Sequence, residues 1–220
     1  LALGLFGGLE RPALGGPVIP LAPRVSLIDL GSSVDCRPSQ LATFATIGAT
    51  FARLVLDIER PRVALLSVGE EEGKGNRQVR ETWPLLKASG LNFVGNVEGQ
   101  DLFLDKVDVV ICDGFVGNVL LKYTEGLTMA IVRHMSASLK SRVPAPIFKS
   151  ILRDFSELTS PAEKSGGPLF GVDGIAVVGH GKSPASTITR SIAMACHTLK
   201  IDLVQKMKED LELAQQRMGT

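Results

Sequence analysis

Val63-Ala64-Leu65-Leu66-Ser67-Val68-Gly69-Glu70-Glu71-Glu72-Gly73-Lys74-Gly75-Asn76 passes from a short apolar run, through a glycine-rich charged loop, to a residue type that opens helices. The run 63–68 has the aliphatic and β-branched content of a buried strand, and 76–88 has helical period. A strand that feeds a helix through small residues is the unit of a parallel sheet with crossover helices. The same unit recurs on both sides. Strands are predicted at 25–30, 91–95, 107–112 and 174–179, and helices at 39–56, 118–139 and 185–216. The alternation makes the fold class α/β. In open sheets of this kind ligands gather outside the carboxyl ends of the strands, where helix N-termini point at them. The loops 31–36, 69–76, 113–118 and 180–186 are therefore where a site is expected.

One stretch breaks the alternation. Residues 135–168 hold two helical segments around Val143-Pro144-Ala145-Pro146. Proline inside a helix costs ~3 kcal/mol, and the residue before a proline is pushed out of the α region. An extended tip between two helices is expected, a helical hairpin projecting from the sheet. The domain reading is a single α/β unit over 1–220 with 135–168 as an insertion. Residues 1–9 (LALGLFGGL) start without Met and read as the tail of an apolar helix, so an N-terminally incomplete domain is expected.

Composition narrows the function classes. With 220 residues, 45% of them hydrophobic, the chain can bury a substantial core. Lys and Arg total 24 against 23 Asp and Glu, a net charge of +1, so no basic field argues for nucleic acid. Any anion must be held locally. The three cysteines, Cys36, Cys112 and Cys196, are odd in number and widely spaced, which suits a reducing compartment better than a disulfide framework. No Cys-x-x-Cys pair or His-rich tract suggests a metal, and no apolar run reaches the ~18–20 residues of a membrane-spanning helix. A cytoplasmic protein with no metal and no cofactor is expected. No Gly-x-Gly-x-x-Gly follows any predicted strand, which argues against a nicotinamide dehydrogenase.

Four constellations carry candidate chemistry. In Gly69–Asn76 three adjacent carboxylates repel one another, and Lys74 lies between glycines where backbone can approach a ligand. Either Lys74 holds an anion or a developing oxyanion, or the loop is a solvated acidic turn with a neutralising lysine. In Cys112-Asp113-Gly114-Phe115-Val116-Gly117-Asn118, Asn118 either caps the following helix or faces a ligand, and Asp113 either orients a cation or begins the turn. Cys112 is either an acyl-accepting thiol or an inert core residue. His180, Lys182 and Ser183, with Ser186, cluster at a strand-to-helix junction suited to phosphate binding or to protonating a leaving thiolate. Asn96 and Glu98 either face the same crevice or form turns.

Taken in order, Glu10-Arg11-Pro12-Ala13-Leu14, Asp29-Leu30-Gly31 with Val34-Asp35-Cys36, Gly69-Glu70-Glu71-Glu72 with Lys74-Gly75-Asn76, Phe93-Val94-Gly95-Asn96-Val97-Glu98-Gly99, Asp113-Gly114-Phe115-Val116-Gly117-Asn118 and Gly179-His180-Gly181 resemble the ordered blocks of the PlsX phosphate acyltransferases. The likeness runs from Glu10 to about Gln205. It implies a three-layer α/β/α sandwich with a mostly parallel sheet, similar to the phosphotransacetylase and isopropylmalate dehydrogenase folds. It also implies that the family's early Asp-Ala-Met-Gly-Gly-Asp block is missing. Gly31-Ser32-Ser33 departs from the family's usual Gly-Ala-Asn.

The resemblance implies a reaction in which inorganic phosphate attacks the thioester of an acyl carrier protein to give acyl phosphate for phospholipid synthesis. Lys74, Asn118 and His180 are then the expected catalytic residues. Glu71, Asn76, Asn96, Glu98, Asp113, Gly117, Lys182 and Ser183 are the expected substrate-binding set. A homodimer and peripheral membrane contact through 140–153 are implied as well, with Val143 to Phe148 as an apolar tip and Lys140, Arg142, Lys149 and Arg153 meeting anionic lipid. Two other readings stand beside it: a phosphotransacetylase-like enzyme using a coenzyme A thioester, and a catalytically silent membrane-bound scaffold.

Overall fold

The computed structural model describes residues 3–6, 9–17, 19, 22, 24–139, 143–159, 167–179, 181 and 183–219, with backbone alone at 152 and 155–159. In chain order the elements are β1 (Ala13–Gly16), β2 (Ser26–Ile28), α1 (Pro38–Val55), β3 (Val63–Leu66), α2 (Arg77–Ala88), β4 (Phe93–Val97), a 3-10 turn (Gly99–Phe103), β5 (Val109–Ile111), α3 (Gly114–Leu139), α4 (Ala145–Thr159), β6 (Gly167–Phe170), β7 (Ala176–Val178), α5 (Ala185–Lys200) and α6 (Leu203–Met218). The strands form one sheet in the order β4-β3-β5-β2-β1-β6-β7. The first four in that order are mutually parallel. β1 is antiparallel to both β2 and β6, and β7 is antiparallel to β6. β6 therefore points with the parallel four, so five of the seven strands run one way and the sheet is mixed but mostly parallel.

Strand alternation splits the buried residues between two faces. Ile28, Val63, Leu65, Val109 and Ile111 meet α1, whose Leu41, Phe44, Ala45, Ile47 and Phe51 are sealed from water. Gly48 lets α1 lie against the sheet, because a Cβ there would stand 2.7 Å from Ile28 Cδ1 and 2.8 Å from Val109 Cγ1. Helices α2 and α6 flank α1 on that face. On the other face Leu27, Ala64, Val110 and Cys112 pack with Ile19, Val25, Leu102 and Leu121, the last from α3. The result is a three-layer α/β/α arrangement with six helices among the described residues.

Local chemistry sets the element ends. Pro38 takes the first position of α1, where its missing N–H leaves nothing unpaired, and the backbone N–H of Arg37 donates to Gln40 Oε1 at 2.7 Å. Asn76 caps α2 by accepting from the N–H of Val79 at 2.9 Å.

Five predicted strands and most predicted helices are present, with five corrections. β1 and β6 were not anticipated: Ala-Leu-Gly-Gly and Gly-Pro-Leu-Phe lack the β-branched content of a strand, and pairing with each other holds them. The helix expected at 118–139 starts four residues earlier, at Gly114. The helix expected at 185–216 breaks at Ile201–Asp202, where Asp202 adopts φ +51°. Leu3–Phe6 is not helical; Leu5 bridges Val172, and the N–H of Phe6 donates to Gly171 O. In the hairpin region α4 packs on α3, and Ala145 and Pro146 are the first two residues of α4 rather than part of an extended tip.

Candidate functional site

Strands β2, β5, β3 and β4 end side by side, and the loops leaving them meet there. The floor of this region is built on Asp29, just beyond β2 and fully buried. Its Oδ1 accepts from the backbone N–H groups of Leu14 (2.9 Å), Gly31 and Ser32 (both 3.2 Å) and from the Ser32 hydroxyl (2.8 Å); its Oδ2 accepts from the N–H of Ser33 at 2.6 Å. One carboxylate thus fixes the turn 30–33 and ties it to β1. Burying a charge is tolerable only with this density of donors. The sequence reading quoted Asp29 within a motif but gave it no role, because its partners come from turn backbone that local pattern does not reveal.

Helix α3 then docks on that turn. The N–H of Gly114 donates to Ser33 O at 2.7 Å. A Cβ on Gly114 would stand 2.8 Å from Ser33 O and 2.9 Å from Asp29 Oδ2, and one on Gly117 would fall on the carbonyl oxygen of Asp29. Both glycines are required by close approach. Asp113 is the cap of α3, its Oδ1 accepting from the N–H of Val116 at 2.8 Å. Asn118 is therefore not a cap. It lies exposed in the second turn of α3 beside Gly31, whose absent Cβ would sit 3.5 Å from Asn118 Cβ, and no described residue hydrogen-bonds its side chain.

The two buried thiols, Cys36 and Cys112, are poorly placed to act as nucleophiles. Cys112 is buried, its Sγ donates weakly to Asp29 O at 3.7 Å, and burial, then Asp113 and Asp29, push its pKa well above the usual thiol value. Cys36, also buried, donates to Ser33 O at 3.2 Å and is pushed up to about 12 by burial, then by Asp29 and Asp113. Burial and the raised pKa both favour the core-residue reading of Cys112 over the acyl-accepting one.

Across β5 the loop after β3 is held from below. Asn96, buried near the end of β4, donates from Nδ2 to the carbonyl oxygen of Glu71 at 2.8 Å, and the backbone N–H of Lys74 donates to the same oxygen at 3.0 Å. Glu70 pairs with Lys106 at 2.9 Å, and Lys106 also pairs with the buried Asp101 at 2.7 Å. Asp101 in turn accepts from the N–H of Glu98 at 2.8 Å, shaping the 3-10 turn, and Lys106 first, then that N–H, hold its pKa below the ordinary carboxylate range. Lys74 is exposed, and among the described residues its ammonium has no ion pair. Glu71 and Glu98 are at the surface of the same loops, Glu98 Oε2 accepting from Gln100 at 3.1 Å. Two buried acceptors in this corner, Ser67 Oγ and Asn96 Oδ1, have no partner among the described residues.

Lys74 and Asn118 are thus brought to one end of the sheet but not into contact. The Lys74 loop leaves β3, whereas α3, which carries Asn118, follows the neighbouring β5 and sets Asn118 beside Gly31, past the end of β2. The start of α3 stands between them, and beside it opens a cleft of about 450 Å³ between α2 and α3, lined by Ser67, Gly75, Asn76 and Asp113 at its polar end.

The expected fourth loop does not join this crevice. Val178 is level with Gly167, and β7 runs opposite to the parallel strands, so Gly179 leaves the sheet at the end away from Gly31 and Lys74. Ser183 follows at the β7–α5 junction, its Oγ close to Gly179. His180 and Lys182 lie outside the described residues. The sequence placed 180–186 with the other loops because strand direction is not written in local pattern. It missed Arg11 for a related reason: antiparallel β1 delivers its preceding residues to the same end of the sheet, where Arg11 Nη1 donates to Val34 O at 3.3 Å and Glu10 pairs with Arg37.

A family model described as a fatty acid synthesis protein matches residues 1–206. Among curated relatives, the phosphate acyltransferase of Acidobacterium capsulatum is 42% identical over 214 residues, 96% of this chain and 64% of that protein. The phosphate acyltransferases of Lawsonia intracellularis and Aquifex aeolicus are 46% and 41% identical, across 88% and 93% of this chain and 57% and 62% of theirs. The chain therefore spans about three fifths of the length of these relatives. A sheet end that gathers the Asp29, Lys74, Asn96 and Asp113 loops, with a family match over nearly the whole chain, places this protein in the fatty acid synthesis protein family, that of the PlsX phosphate acyltransferases.

Proposed function

We propose that this protein transfers a fatty acyl group from acyl carrier protein to inorganic phosphate, giving acyl phosphate for phospholipid synthesis. The observation that supports it best is the state of Lys74. Its loop carries three glutamates, yet Glu70 is taken by Lys106 and the Lys74 ammonium is left without a carboxylate among the described residues. An exposed cation, unpaired among the described residues, on a loop beside an open cleft suits an anion that arrives from solution.

In this reading phosphate sits against Lys74 and the acyl carbonyl lies towards Asn118, whose amide donates to the oxygen. A phosphate oxygen attacks the carbonyl carbon; the new C–O bond forms, the C–S bond breaks, and the electron pair leaves on the carrier's sulfur. Asn76, Asp113 and Gly117 serve by shaping helix starts, Asn96 by holding the Lys74 loop, and Glu71 and Glu98 rim the crevice. Ser183 sits at the β7–α5 junction with its Oγ close to Gly179, and the leaving thiolate takes its proton from water in this scheme.

A homodimer and peripheral contact with the cytoplasmic face of a membrane complete the proposal. Ile147, Lys149 and Arg153 are exposed on α4, while Lys140 and Arg142 lie outside the described residues. No helix among the described residues is long and apolar enough to cross a membrane. Full-length protein supplied with phosphate and either an acyl carrier protein thioester or the matching coenzyme A thioester tests the reading: preference for the carrier-bound donor supports it, and preference for coenzyme A replaces it with phosphotransacetylase-like chemistry. Vesicle co-sedimentation without turnover on either donor favours the scaffold.

A further inference from the structure

The cleft between α2 and α3 has a chemistry that the phosphate site does not use. Val116, Val119, Leu120 and Tyr123 recur at i, i+3, i+4 and i+7, one face of α3, and all four line it. Leu66, Val68 and Val79 form the opposite wall. Val119 is 53% exposed and Tyr123 66%, a stripe of apolar surface facing open space. Apolar patches of this kind on a folded surface mark binding sites rather than chance. At about 450 Å³ the cleft falls within the range of small-ligand pockets.

We propose, resting on the acyl-thioester reading above, that this cleft holds the acyl chain, with Val119 and Tyr123 limiting its length. Continuity decides the occupant. The polar end of the cleft is Gly75, Asn76 and Asp113, next in sequence to Lys74 and to the start of α3, where the carbonyl has to lie. From there the stripe runs roughly 10 Å along α3 to Tyr123. A chain entering from the reacting carbonyl meets apolar side chains of α3 together with Leu66, Val68 and Val79, and each methylene buried among them leaves water. The unpartnered hydroxyl of Ser67 sits at the polar end, beneath the thioester rather than the tail.

The test uses full-length protein carrying Val119→Trp, which fills the cleft from an exposed helix position, or Tyr123→Ala, which opens its far end. Leu213→Trp, on the exposed side of α6, is the control. The ratio of kcat/KM for palmitoyl over butyryl donor is expected to fall about tenfold or more in Val119→Trp, to rise in Tyr123→Ala and to stay put in the control. Calorimetric binding of a palmityl pantetheine thioether, which cannot turn over, is expected to weaken in parallel in Val119→Trp. Unchanged binding and an unchanged ratio in Val119→Trp overturn the proposal, as does a shift in sedimentation from dimer to monomer with the ratio intact, which makes the stripe a subunit surface. Thioether binding that responds to Val119→Trp, in an enzyme that turns over no thioester, supports the cleft and overturns the acyltransferase reading alone.

Discussion

Asn96 Nδ2 donates to the Glu71 carbonyl oxygen at 2.8 Å, and through that oxygen one side chain of β4 sets the conformation of the loop that carries Lys74. Asn96→Ala removes the donor of a part-buried hydrogen bond and leaves the Glu71 carbonyl with one partner fewer. The expected cost is about 1–3 kcal/mol of stability, read as a lowered melting temperature. Because the loop is what the change loosens, KM for phosphate is expected to rise more than kcat falls. A stability loss with phosphate KM unaltered contradicts the positioning role.

Gly117→Ala tests the docking of α3. Its Cβ would land on the Asp29 carbonyl oxygen, so either the helix start or the turn 30–33 has to move. Overpacking of this kind costs typically 1–3 kcal/mol, and with backbone on both sides the upper end is expected, about 3 kcal/mol. Denaturant titration measures it; a midpoint equal to that of the unsubstituted protein contradicts the close approach.

The thiols give a pH prediction with a definite sign. Cys36 titrates at about 12 in the folded chain against an ordinary value of 9.0, and Cys112 is shifted the same way, burial being the largest cause for both. The folded state therefore keeps these protons after the unfolded chain has lost them. The Cys36 contribution to stability is complete below pH 9 and is lost as pH rises from there through about 12, and that of Cys112 is lost in the same direction. Denaturant midpoints across that window check it, and Cys36→Ser is expected to flatten the decline. Alkylation at pH 8 gives a second measure: exposed Cys196 is expected to react first, and Cys36 and Cys112 only after unfolding.

What the sequence shows and hides divides along physical lines. Strands such as Val63–Leu66 and Val109–Ile111 declare themselves because burial on both faces demands aliphatic residues. β1 and β6 are strands only because they pair with each other and close one side of the sheet, a long-range cause that Ala-Leu-Gly-Gly cannot announce. The same holds at the site. Lys74 between glycines is legible, whereas the five donors on Asp29 and the reversed direction of β7 depend on residues far apart in the chain.

The most direct measurement is single-substrate kinetics of full-length protein and its Lys74→Met variant with acyl carrier protein thioester, phosphate being the varied component. Phosphate-dependent release of free carrier thiol is expected from the parent protein, with kcat/KM for phosphate lower by about a hundredfold to a thousandfold in Lys74→Met. Equal phosphate-dependent rates in the two proteins, or thiol release that ignores phosphate, would contradict the assignment of Lys74 as the anion-holding residue of the site.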